Sequence, residues 1–315
     1  MPQHAGTGRR KSEFTTLNRD PFLKYRPALA TAAAVLLAAC ATPPEPVGPK
    51  AKEEIVAVSV TNELLRFNAG QPQRVRDRKP LAGLRSGERI LGIDFRVARG
   101  ELYALGAVGS SGQLYKIDVA AAKAVPVGSG VALPAGATEW GFDFNPTVDR
   151  IRVVNDRGAN LRLHPDTGAP VDGNPDQPGL QPDGDLAWDK ADPRAGQALA
   201  IVAAGYTYNK TNDKITTNYA LDGAAGWLLH QGTKEGVQPV VSPNSGRLYS
   251  VGALGTGPFR YATLDISDVN NAAYAGLRND GEKATRWYRV DLATGKATLV
   301  GTVAGDALVG AAIEP

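Results

Sequence analysis

A ten-residue interval constrains the fold more than any other feature of this chain. Leu114-Tyr115-Lys116-Ile117-Asp118 is followed by Gly128, Asn218-Tyr219-Ala220-Leu221-Asp222 by Gly232, and Trp287-Tyr288-Arg289-Val290-Asp291 by Gly301, with ten residues from Asp to Gly each time. Apolar residues alternating with polar ones at period two mark half-buried strands. A turn such as Ala293-Thr294-Gly295 reverses the chain, so each unit reads as a hairpin. Leu64 to Asn68 and Leu161 to His164 are weaker copies. The markers at 68, 118, 164, 222 and 291 are 50, 46, 58 and 69 residues apart, close to the period of a propeller with four-stranded blades.

A second unit recurs between the hairpins. Gly92-Ile93-Asp94-Phe95 followed by Leu102 to Gly106 matches Val240-Val241-Ser242-Pro243 followed by Leu248 to Gly252. Similar pairs start at Gly141, Leu186 and Leu264. The stretch Leu308 to Ile313 reads as a first strand with nothing after it, and Ile55 to Val60 as a second strand with nothing before it. Pairing them completes one blade from both ends of the chain and removes exposed sheet edges. These units predict an all-β fold, a β-propeller of five four-stranded blades with an extra hairpin around 236–256. Six blades is the alternative count, and a β-sandwich is an alternative architecture that does not require the repeat.

The chain has 315 residues, 43% of them apolar, with 36 Gly and 22 Pro, a composition suited to a turn-rich globular body. Its formal charge of +3 is misleading. Residues 1–39 hold six Lys/Arg against Glu13 and Asp20, which leaves −1 for residues 40–315. The body therefore has no net field for nucleic acid, and no nucleic-acid partner is expected.

Cys40 is the one cysteine, so no intramolecular disulfide can form. It follows a basic stretch and the apolar run Ala28 to Ala39, which is too short to span a bilayer as a helix. Leu37-Ala38-Ala39-Cys40 resembles a bacterial lipobox. The resemblance implies a lipoprotein signal peptide over 1–39, cleavage before Cys40, and thioether and acyl lipids such as palmitate on Cys40 that anchor the chain to a lipid bilayer. Residues 40–54, with Pro43, Pro44, Pro46 and Pro49, are expected to form a Pro-rich tether ahead of a propeller domain over 55–315. Ala41 lacks the aspartate that in enteric lipoproteins signals inner-membrane retention, so the same resemblance implies the outer membrane, where the cell has one, with the domain facing the periplasm or the surface.

Four segments carry a resemblance to a family. They are Gly100 to Gly106, Gly112 to Asp118, Phe142 to Val154 (Phe-Asp-Phe-Asn-Pro-Thr-Val-Asp-Arg-Ile-Arg-Val-Val) and Asn160 to Gly168. With them, residues 85–315 resemble the bacterial family catalogued as domain of unknown function 4394. The run from Phe142 to Gly168 is the specific part. The family brings no reaction, ligand or catalytic residue to carry over.

The search for chemistry returns little. The body holds two histidines, His164 and His230, both inside repeat hairpins, so no His cluster has metal-ligand spacing. With Cys40 committed to lipid, no thiol nucleophile remains, and no Gly-x-Ser-x-Gly elbow occurs. Asp94, Asp143 and Asp265 share one register of the first strands, which aims three carboxylates at the channel of a ring. They are candidate metal ligands, or acceptors for amides of a turn or neighbouring blade. Arg150, Arg152, Arg162 and His164 alternate with apolar residues and are candidates for binding an anionic glycan or a partner. The other reading makes them a solvated sheet face paired with Asp149, Asp156 and Asp166. The expected function is an envelope-anchored binding module for a protein or glycan, with no cofactor. The alternative is a metal-dependent propeller hydrolase, lactonase-like or glycan-acting.

Overall fold

The computed structural model describes residues 45–315. The leader, the lipobox and Cys40 lie outside the described residues. Twenty strands form five sheets arranged as the blades of a propeller. Blade one holds β1 (Glu54–Ser59), β2 (Glu63–Asn68), β3 (Asp77–Pro80) and, as its inner strand, the last strand β20 (Leu308–Ile313). Blade two runs outward through β4 (Arg89–Arg96), β5 (Glu101–Val108), β6 (Ser111–Asp118) and β7 (Lys123–Ala132). Blade three has three strands, β8 (Trp140–Asn145), β9 (Arg150–Asn155) and β10 (Asn160–Leu163). Blade four has five: β12 (Ile201–Tyr206), β13 (Asn218–Asp222), β14 (Trp227–Gln231), β15 (Arg247–Ala253) and the short β11 (Ala187–Trp188), which lies parallel to β15 at the edge. Blade five holds β16 (Tyr261–Ile266), β17 (Ala273–Arg278), β18 (Arg286–Val290) and β19 (Ala297–Thr302).

The ring closes as the sequence predicts. β20 pairs antiparallel with β1, with Ile313 opposite Ile55 and Ala311 opposite Ala57. The five inner strands β4, β8, β12, β16 and β20 pack in a closed circuit about the axis. Period two explains what holds the blades together, because successive side chains of a strand point to opposite sheet faces. Leu102 and Ala104 of β5 enter the core shared with blade one, while Tyr103 and Leu105 enter the core shared with blade three. Each of five apolar cores fills one gap between neighbouring blades.

Blade four departs from the expected assignment. The Asn218 unit is not an outer hairpin: β13 and β14 are the second and third strands, and its inner strand is Ile201–Tyr206. That strand, Ile-Val-Ala-Ala-Gly-Tyr, has no Asp in the inner register and was missed for that reason. Leu186 precedes the edge strand β11 instead of starting an inner pair. The residues expected to form an extra hairpin supply a loop, 232–246, and the ordinary outer strand β15. Five blades therefore account for every repeat.

The tether also differs from expectation. From Glu45 onward the chain lies against the ring: the Glu45 carboxylate accepts from the Thr302 amide at 2.7 Å, and Gln71 Nε2 donates to the Gly48 carbonyl at 2.8 Å. Asn68 holds Ala51 through both its amide and carbonyl.

Candidate functional site

Two places bring the candidate residues together. The first is the axis. Inner strands reach the same face at their C-terminal ends, and Asp94, Asp143 and Asp265 stand at one level on β4, β8 and β16, all buried. Each offers a carboxylate oxygen within 4.8 Å of the others. Small residues permit this approach. A Cβ on Gly92 would stand 2.6 Å from the Phe142 Cβ, and one on Gly141 would stand 2.7 Å from the Ala204 amide. The cavity left on the axis below the carboxylates is about 20 Å³, room for a single water.

Each carboxylate is tied to the next blade. Asp94 Oδ2 accepts from the Phe144 amide of β8 at 2.7 Å, and Asp143 Oδ1 from the Tyr206 amide of β12 at 3.1 Å. Asp265 accepts from the Ile313 amide of β20 and, with its other oxygen, from the Ile266 amide. At the equivalent positions β12 has Gly205 and β20 has Ala312. Burial pushes all three carboxyls up, Asp265 to about 7, and the mutual repulsion of Asp94, Asp143 and Asp265 adds to it for Asp94 and Asp143. Burial and the same carboxylates raise the phenol of Tyr208, just beyond β12. Asp94 also meets the amide of Phe95, which leaves one oxygen, on Asp143, without a bonded amide. Calcium takes six to eight oxygens, so the trio fits amide acceptors coupling neighbouring blades better than it fits a cation cage.

The second place lies off the axis on the same face. Blade three lacks a full fourth strand, since after β10 only a bridge from Leu163 to Pro170 continues the sheet. The space beside it is a cleft of about 660 Å³, walled by the loops after β8, β12 and β14. Arg150, Arg162, Lys214 and Lys234 line it, with Glu235 as the one carboxylate. Val148, Val237 and Val240, 69% exposed in the last case, supply apolar wall.

Under the cleft the other blade-three arginine is wholly buried. Arg152 donates to Asp183 and Asn160 at 2.7 Å, to Asn244 at 2.6 Å and to the Tyr206 hydroxyl at 3.2 Å. Arg162 grips the same Asp183 with two bonds of 2.8 Å. The structure thus corrects the solvated-face reading: Arg152 fills the contact between blades three and four. Asp149 and Asp166 turn to Arg96 of blade two, and Asp156 bonds Thr138. His164 stays out of the cleft, where its Nδ1 accepts from the Asp166 amide at 3.2 Å. Sequence reasoning missed Asp183, Tyr206, Asn244, Lys214 and Lys234. Asp183 sits in an irregular Pro-rich run and the lysines in loops, where no period marks them.

Residues 63–312 match the family model described as Domain of unknown function (DUF4394). The chain belongs to this family. Phe142 to Gly168, the most specific part of the resemblance, builds blade three and one wall of the cleft, so the DUF4394 signature borders the site. Comparison with curated proteins gave no match. Among solved structures, the DUF4394 chain is similar to TolB from Acinetobacter baumannii, at 10% identity and TM-score 0.42, over 81% of this chain and 54% of TolB. The chain thus spans about half the length of that neighbour. It is similar also to a structure titled Nidogen/Laminin Complex, at 11% identity and TM-score 0.43, over 84% and 98%. A putative 6-phosphogluconolactonase from Bacteroides fragilis follows at 11% and 0.40, over 83% and 97%.

Proposed function

We propose that this protein is a binding module displayed at the bacterial cell envelope by lipid on Cys40, and that it takes its ligand in the cleft between blades three and four. The cleft carries the reading. Its size falls within the few hundred to a thousand Å³ of small-molecule sites, and it combines apolar wall with a few polar groups. A rigid ring with irregular loops on one face is also the arrangement in which binding residues are usually carried. The lipobox-like sequence supports anchoring, and Ala41 supports the outer membrane as the destination.

A metal-dependent hydrolase is the second reading, supported by the close approach of Asp94, Asp143 and Asp265. It is the weaker one, because each carboxylate already holds an amide of the ring.

Two experiments, one on purified protein and one in cells, test the two parts of the first reading. The full chain, purified in detergent, is expected to retain an envelope component that Val240→Trp, which puts a large ring on the cleft wall, no longer retains. Cys40→Ser is expected to abolish palmitate labelling and release the protein from membranes. Equal retention by wild type and Val240→Trp would remove the cleft from the proposal, and a labelled Cys40→Ser protein would remove the anchor.

A further inference from the structure

We infer that the ligand of this cleft is a small organic oxyanion bearing at least two carboxylate or phosphate groups on an aliphatic body. The inference rests on the binding reading above. Its basis is an uncompensated positive charge. Arg152 and Arg162 share Asp183, so this set of three keeps one positive charge, with the Arg152 and Asp183 side chains each only 1% exposed. The neighbouring acids in sequence are spent elsewhere, Asp149 and Asp166 on Arg96.

The remaining cations have no carboxylate partner among the described residues, although Lys234 stands 5.9 Å from the centre of the Tyr219 ring. Among the described residues neither Lys214 nor Lys234 has a carboxylate within ion-pair distance, and Arg150 donates only to the carbonyls of Val148 and Asp149. Glu235 is already bonded to Thr207 at 3.1 Å and Asn209 at 2.6 Å. A concave wall with an excess of positive charge, four cations against Glu235, focuses its field into the cleft and raises the local concentration of anions. Guanidinium groups suit planar or tetrahedral oxyanions, and ammonium groups add point charge. No aromatic ring lines the cleft, while Val148, Val237 and Val240 do. A sugar or a base finds no ring to stack on, whereas an aliphatic body finds contact.

The test is calorimetric titration of the full chain in detergent with citrate, glycerol 1,3-bisphosphate and glycerol, at about 20 mM and about 200 mM salt. One of the two anions is expected to bind and glycerol not to bind; the tighter anion names carboxylate or phosphate as the source. Binding should weaken about tenfold at the higher salt, and about tenfold again in Lys214→Glu and in Lys234→Glu. Lys234→Arg should stay within about threefold of wild type. No heat with either anion at low salt overturns the inference, as does anion binding that ignores both charge reversals. If Val240→Trp abolishes retention of the envelope component while the charge reversals spare it, the cleft reading stands and the anion falls. If neither kind of variant matters, both fall.

Discussion

The axis of the ring gathers three carboxylates with no cation among them, whereas the cleft beside it gathers cations around one carboxylate. The difference lies in what satisfies each group. Every axial Asp bonds a backbone amide of the next blade, so the ring's own geometry uses it. Among the described residues the cleft cations Lys214, Lys234 and Arg150 bond no carboxylate. Buried like charge whose hydrogen bonds are met inside the protein reads as architecture, and it titrates to reduce its cost. Unmatched charge open to solvent and walled by valines reads as a place for something else. Tyr206 joins the two regions, since its amide serves Asp143 and its hydroxyl serves Arg152.

Breaking the floor of the cleft should have the largest effect on folding. Arg152→Met keeps bulk but leaves Asp183 with Arg162 alone and Asn244 Oδ1 without its donor, while Asn160 Oδ1 keeps only Gln231 Nε2 at 2.9 Å. Removing one member of a buried charged network costs about 3–5 kcal/mol. For a domain of this size that is a fall in Tm of roughly 10 °C, measured by calorimetry of the full chain. A fall of only a degree or two would mean that Arg152 is not the keystone of the contact between blades three and four.

The axis should respond to pH in the opposite sense from an ordinary paired carboxylate. Asp265 titrates at about 7 in the fold against 3.8 for the free side chain, so between those values the folded state binds more protons than the unfolded one. Its contribution is complete below about pH 4 and is lost as pH rises to about 7, by at most about 4 kcal/mol. Urea midpoints should therefore fall from about pH 5 to about pH 8. Asp143→Asn keeps an oxygen for the Tyr206 amide and removes one charge, so it should raise the midpoint at the higher pH and flatten the profile. A midpoint lowered by Asp143→Asn at that pH would show the carboxylates ionised and held by a cation, which would revive the hydrolase.

How much of this was legible in the sequence differs between the two regions for a physical reason. The axial Asp register was visible because inner strands repeat and a repeat shows itself as spacing: Asp94, Asp143 and Asp265 were found without a structure. Ring closure through Ile55 and Ile313 was visible for the same reason. Blade four was misread because Gly205 stands where the repeat would place Asp. The cleft was half-legible. Arg150 and Arg162 announced themselves by alternation, but Lys214, Lys234 and Asp183 come from loops and an irregular segment, where proximity is set by the fold and not by spacing. The partners proposed for the arginines were the nearest acids in sequence, and Arg96, from another blade, had already taken two of them.

The smallest expected effect decides whether the two regions act on one another. Tyr206→Phe leaves the amide that serves Asp143 in place and deletes the hydroxyl that accepts from Arg152 Nε at 3.2 Å. Tyr206 is buried, so an unpaired guanidinium N–H remains, and a single hydrogen bond to a charged group costs about 1.5–3 kcal/mol. Arg152 keeps its three other acceptors and 3.2 Å is long for such a bond, so the loss should sit at or below the lower figure, read as a shifted urea midpoint. If Tyr206 only bridges two independent regions, the shift is the same at about pH 5 and about pH 8. A shift that grows with pH would mean that the hydroxyl holds the β12 backbone against Asp143, and that charge on the axis is felt at the floor of the cleft.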